Sequence, residues 1–135
     1  MKIFLILIIS VTLAACSSAP RQAKDADFVT KHVSANAPVT ETYANWQQGL
    51  RYYGFEKYGF PDCKPADKNG TVLCDIYPDK GAAGKPGMVS GRIQFSPGPP
   101  GTKAVLRVRK NIPNNEGILM AWEIFMSGRV REACP

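Results

Sequence analysis

Short segments in which apolar and polar residues alternate make up most of the chain after Pro61. This period of two residues is typical of strands with one buried face. The connections between the segments contain several Gly and Pro residues and are of hairpin length, too short for the crossover helix that a parallel pair needs. The pattern predicts an antiparallel β-meander of four to five strands, drawn from segments 71–77, 88–95, 103–110, 118–126 and 129–133.

One segment before these strands has a helical period. Its large apolar residues are spaced three, four and three positions apart: Tyr43, Trp46, Leu50 and Tyr53. Such a stripe is either a stacking platform for sugars or peptides or the core-facing side of a helix, and helical spacing favours the core. Gly54 followed by Phe55 is typical of a helix end. We therefore predict an α+β domain in which one N-terminal amphipathic helix, residues 41–53, packs on the antiparallel sheet.

The chain begins with a short apolar segment. Lys2 precedes residues 3–13, which are apolar except for Ser10 and Thr12. As a helix this segment would rise about 16 Å, roughly half of the ~30 Å hydrocarbon core of a bilayer. A positive start, a short apolar segment and small residues behind it are typical of a cleaved secretory signal. We predict a signal peptide over residues 1–15.

The sequence LAAC at residues 13–16 resembles the lipobox of bacterial lipoproteins. The resemblance implies cleavage before Cys16, a diacylglycerol thioether on its sulfur, and a further acyl chain such as palmitate on the new N terminus. Two or three acyl chains anchor a protein stably in a membrane. In that family an Asp after the cysteine favours inner-membrane retention, so Ser17 implies the outer membrane, with the domain facing the periplasm. An ordinary signal peptide cut after Ala15 or Ala19 is the alternative.

Residues 16–40 are rich in Ser, Ala, Pro and charged side chains and contain few apolar ones. This composition is typical of a flexible tether, and a coil of this length would place the domain roughly 25–30 Å from the bilayer. The remaining residues are enough for one domain with a single core. We predict the lipidated cysteine and tether over residues 16–40 and one periplasmic domain over residues 41–135.

Positive charge is concentrated in the second half of the chain. Residues 81–135 contain eight Lys or Arg against three Glu, whereas residues 16–80 are balanced. Strand alternation predicts one basic, solvent-facing surface, formed by Arg92, Lys103, Arg107, Arg109, Arg129 and Arg131. The alternative is that these are ordinary polar residues of a wet sheet face. Because an exported, tethered domain rarely meets nucleic acid, we expect an acidic envelope protein or an anionic envelope polymer as partner.

Three cysteines remain besides Cys16, namely Cys63, Cys74 and Cys134. The periplasm is oxidising, and an odd number of thiols permits one internal bridge. The turn dipeptide at residues 69–70 can fold the intervening segment back on itself, which favours a bridge between Cys63 and Cys74. Pairing of Cys134 with Cys74, or with Cys63, is the alternative.

Residues for common catalytic and metal sites are sparse. The only histidine, His32, falls in the predicted tether, so the predicted domain lacks the base of Ser-His-Asp and Cys-His nucleophile systems. The chain also has no CxxC or HExxH motif. We therefore predict no enzyme activity, no metal site and no cofactor.

Together these features favour a non-catalytic outer-membrane lipoprotein whose small periplasmic domain binds an envelope protein or an anionic polymer. The alternative is an inhibitor or immunity lipoprotein directed against an envelope-targeting enzyme, such as a lysozyme or a toxin. The Gly- and Pro-rich segment 96–102 would suit insertion into the cleft of such an enzyme.

Overall fold

A computed structural model describes residues 27–129. The predicted signal peptide, Cys16, Arg131 and Cys134 lie outside these residues. Within them the chain forms a five-stranded antiparallel sheet in the order β1-β5-β4-β3-β2, with helices packed on one side. The strands are β1 Phe28–Ala35, β2 Phe60–Cys63, β3 Val72–Tyr77, β4 Gly91–Gly98 and β5 Gly101–Arg109, and the helices are α1 Val39–Tyr53, α2 Phe55–Tyr58 and α3 Asn115–Met126.

The sheet combines a meander with one long connection. Strands β2 to β5 follow one another as antiparallel neighbours. Three of them, β3, β4 and β5, overlap the predicted segments 71–77, 88–95 and 103–110, whereas β2 was not predicted. Strand β1 pairs with β5 at the far side, so the chain crosses the whole sheet between β1 and β2, and α1 makes most of that crossing. The α+β class and the antiparallel sheet are therefore confirmed.

The core lies between the sheet and the two longer helices. Trp46 and Leu50 of α1 are fully buried, and Tyr43 and Tyr53 pack against the margin of the core. The aromatic stripe is therefore a core-facing surface and not an exposed platform. Ile93 is one of the fully buried strand residues below it, on the face of the sheet that alternation had predicted to be apolar.

The prediction of a strand over 118–126 was wrong, because this segment lies in α3. A short apolar run can be a buried strand or a buried helix, and periodicity alone does not separate them. In α3, Leu119, Trp122 and Phe125 recur every three residues and are buried on one face. The Trp122 ring packs over Gly91. A Cβ at this position would lie 3.0 Å from the ring, so the absence of a side chain at Gly91 lets α3 pack on the sheet.

The predicted tether extends too far along the chain, because residues 28–35 form β1. One face of this strand carries Val29 and Val33, which pack against the core. Lys31 lies on the same face and obscured the alternation in the sequence, and its ammonium group pairs with Glu123 of α3 at 2.5 Å. Consequently α1 is the second element within residues 27–129 and not the first.

The strand predicted over 129–133 lies outside the described residues except for Arg129, which follows the end of α3. No helix within residues 27–129 combines the length and the apolar character that crossing a membrane requires.

Candidate binding surface on the open face of the sheet

The helices cover one face of the sheet, and we call the other the open face. Across its middle, from β1 to β2, the strand register places five side chains in one row: Thr30, Arg107, Arg92, Asp75 and Asp62. Positive residues therefore lie at the centre of the row and acidic residues at the β2 edge. Alternation along each strand then determines which other residues share this face.

Four of the six predicted basic residues lie together on the open face. Arg92 of β4 is directly opposite Arg107 of β5, and Lys103 and Arg109 follow on the same face of β5. Arg129 is not brought to this face, because it lines a cleft on the helix side of the sheet together with Val33 and Met126. Two neighbouring strands thus carry all the basic residues that the structure brings together.

Two of these cations are held by neighbouring groups. The Arg92 side chain donates from Nε to Oδ1 of Asp75 at 2.8 Å. The Arg109 guanidinium donates to the carbonyl of Val89 and lies 5.5 Å from the centroid of the Phe28 ring. Lys103 is exposed, so its ammonium group faces solvent. Arg92 and Arg109 are thus held in place by neighbouring groups, whereas Lys103 is exposed.

The β2 edge of the open face is acidic and lies next to a small apolar cluster. Asp62 and Asp75 are directly opposite one another. Tyr77 follows on the same face and is 3% exposed, packed by Ala82 and Val89 from the β3–β4 connection. Burial raises the pKa of the Tyr77 hydroxyl above its ordinary value, and the carboxylates of Asp75 and Asp62 raise it further. The basic residues that a partner can reach therefore lie on β4 and β5, on the part of the open face next to β1.

Strand β1 contributes three side chains to the open face that the sequence prediction missed. Thr30, His32 and Ser34 are all exposed and lie opposite Arg107, Val105 and Lys103 respectively. His32 therefore belongs to the sheet and not to the tether. In the sequence, the alternation of FVTKHVSA indicates this strand, but the charged residues around it concealed the pattern.

The predicted bridge between Cys63 and Cys74 is present, with their Cα atoms 4.0 Å apart. The two residues are directly opposite each other on β2 and β3, and Cys74 is fully buried on the helix side. Closing a loop of this length stabilises a fold by roughly 2–3 kcal/mol. The bridge thus fixes the short β2 strand to the sheet, away from the open face.

Within the described part of the chain, no three His, Cys, Asp or Glu side chains are grouped so that they could hold a metal ion. No family model and no curated protein matches the sequence, and no solved structure matches the fold.

Proposed function

We propose that this protein is a non-catalytic outer-membrane lipoprotein, anchored through acyl chains on Cys16, whose periplasmic domain binds an acidic partner of the cell envelope. The observation that carries the proposal is the basic part of the open face. Arg92, Lys103, Arg107 and Arg109 share the one face of the sheet that the helices leave uncovered.

The spacing of these cations suits a partner with repeated negative charges. Neighbouring strands lie about 4.8 Å apart, and residues four positions apart on one strand about 13 Å, which is the separation of Lys103 from Arg107 along β5. Arg92 lies beside Arg107 on the next strand. Guanidinium groups bind carboxylates through paired, charge-assisted hydrogen bonds. A folded acidic protein, an acidic chain segment or an anionic polymer would satisfy several of these groups at once.

A second candidate function is inhibition of an envelope-targeting enzyme. The tip between β4 and β5 has exposed prolines at Pro97, Pro99 and Pro100. Its base is held against the β1–α1 connection, since the Thr102 hydroxyl donates to the carbonyl of Ala37 at 2.8 Å. An exposed tip that is held at its base favours insertion into the cleft of an enzyme. If truncating the tip abolished inhibition, this function would be distinguished from binding by the open face.

The binding part is tested with the full chain and polyglutamate as probe, at about 10 mM and about 0.5 M salt. Lys103→Glu should weaken binding about tenfold at low salt, because it reverses a charge on the open face. The matched control is Arg51→Glu, which makes the same charge change on α1, on the opposite side of the domain. Equal losses for the two variants, or no salt-sensitive binding at all, would contradict the proposal.

The anchor is tested separately by Cys16→Ser. If Cys16 is acylated, this variant should leave the outer-membrane fraction, since the chains that hold the protein there are lost. Continued fractionation of the variant with the outer membrane would show that the lipobox interpretation is wrong.

A further inference from the structure

The two edges of the sheet differ in how far they are protected against pairing with another strand. At one edge, β2 is only four residues long and contains Pro61 and Asp62. Short length, proline and charge are the usual devices that block strand addition at an edge. At the other edge, β1 has eight residues, no proline, and an unbroken register with β5, and its Lys31 ammonium is paired with Glu123 on the helix side. Within residues 27–129 no strand lies outside β1.

The register determines which backbone groups of β1 point outward. The Lys110 amide donates to the carbonyl of Asp27, and the register with β5 continues without a bulge to Ala35. Hydrogen-bonded pairs alternate in an antiparallel ladder, so the odd-numbered residues bond to β5. The N–H and C=O groups of Thr30, His32 and Ser34 therefore point away from the sheet, where a further strand would bond.

The basic residues of β5 lie directly behind this edge. Thr30 is opposite Arg107 and Ser34 is opposite Lys103, so only short side chains separate these cations from the outer edge. A strand added to β1 would lie about 9.6 Å from β5, two strand spacings away. The long Lys103 side chain and a Glu side chain on the added strand can together span that distance.

We propose that β1 accepts an extended, acidic segment of a partner protein as a sixth strand, with Asp or Glu at alternate positions facing the open face. This inference rests on the proposed function and narrows the partner to a polypeptide. Backbone hydrogen bonds would supply affinity, and carboxylates near Lys103 and Arg107 would supply specificity. A second copy of this chain suits the edge poorly, because antiparallel β1–β1 pairing would bring the cations of both copies to one face.

The test uses the full chain and a synthetic eight-residue peptide of alternating Glu and Val. His32→Pro should weaken peptide binding about tenfold or more, because proline removes an outward N–H and disturbs strand addition. The same change removes no hydrogen bond to β5. His32→Ala is the matched control: it loses the same side chain but keeps the N–H, so it should bind the peptide more tightly than His32→Pro. With the unchanged protein, one of two peptides N-methylated either at its Glu or at its Val residues should lose binding to a similar extent, because only one alternate set of N–H groups faces β1. This keeps the test independent of how well His32→Pro folds.

Strand addition would be overturned, with the proposed function left standing, if both N-methylated peptides bound as tightly as their parent. Wild-type affinity of His32→Pro for the parent peptide would have the same consequence. A β1–β1 dimer that the peptide does not displace would also overturn it. Binding of a Gln/Val peptide as tight as that of the Glu/Val peptide would instead contradict the acidic partner on which the inference depends.

Discussion

Trp46 of α1 and Trp122 of α3 are both buried in the core, with their ring centroids 6.3 Å apart and the rings nearly perpendicular. They differ in one hydrogen bond. The Trp122 indole Nε1 donates to the carbonyl of Tyr58 at 3.1 Å, whereas the buried Trp46 Nε1 has no hydrogen-bond partner within residues 27–129. A buried polar group without a partner costs about 1–3 kcal/mol, so the same substitution should have different consequences at the two positions.

We expect Trp122→Phe to lower the free energy of unfolding more than Trp46→Phe, by about 1–2 kcal/mol. Both changes leave a similar cavity, but only the first removes a hydrogen bond, while the second removes a donor without a partner. Urea unfolding of the two variants measures the difference, and each serves as the control for the other. A loss at Trp46 equal to or larger than the loss at Trp122 would contradict this account of the core.

At the scale of elements, α1 and α3 are in tight contact at Gly49. A Cβ built there would lie 2.2 Å from Cγ of the Phe125 ring, and that ring also stacks on Tyr53 at a centroid distance of 5.5 Å. The ring therefore has neighbours that resist its displacement. A glycine inside a helix is intrinsically unfavourable, so its presence here has a packing reason.

Gly49→Ala should therefore destabilise the domain by about 1–3 kcal/mol, although alanine is the better helix former by about 1 kcal/mol. The control is Gln48→Ala, the exposed neighbouring position on the same helix, which should be neutral or slightly stabilising. Thermal and urea unfolding of both variants provide the measurement. Stabilisation by Gly49→Ala would show that the two helices are not in contact at this point.

The elements that could be predicted from the sequence are those with a regular local period. The spacing of Trp46 and Leu50 indicated α1, and alternation indicated β3, β4 and β5. The short α2 and β2 were not predicted, and β1 and α3 were missed for physical reasons. Strand β1 carries Lys31 on its core-facing side, and this residue is accommodated only because Glu123 lies across from it in the folded domain. The α3 segment is a short apolar run, and whether such a run forms a helix or a strand depends on what it packs against. Here the absence of a side chain at Gly91 leaves space for the Trp122 ring of the helix.

At the scale of the whole molecule, the basic residues of the candidate surface could be predicted, but the contribution of β1 could not. Alternation placed Arg92, Lys103, Arg107 and Arg109 on one face, and the structure has them together on β4 and β5. The contribution of β1 could not be predicted, because its pairing with β5 joins segments about 75 residues apart in the chain. Arg129 was misplaced because it was assigned to a strand, whereas it follows a helix on the other side of the sheet.

The most direct test of the central claim is site-specific photocrosslinking in intact cells. A photoreactive residue replaces Ser34 on the open face or, as control, Gln48 on α1; both positions are exposed. We expect an adduct with an acidic envelope component from position 34 and none from position 48. Lys103→Glu should weaken the adduct from position 34, because binding depends on the open face and its charge. An adduct from position 48 with none from position 34 would contradict the account.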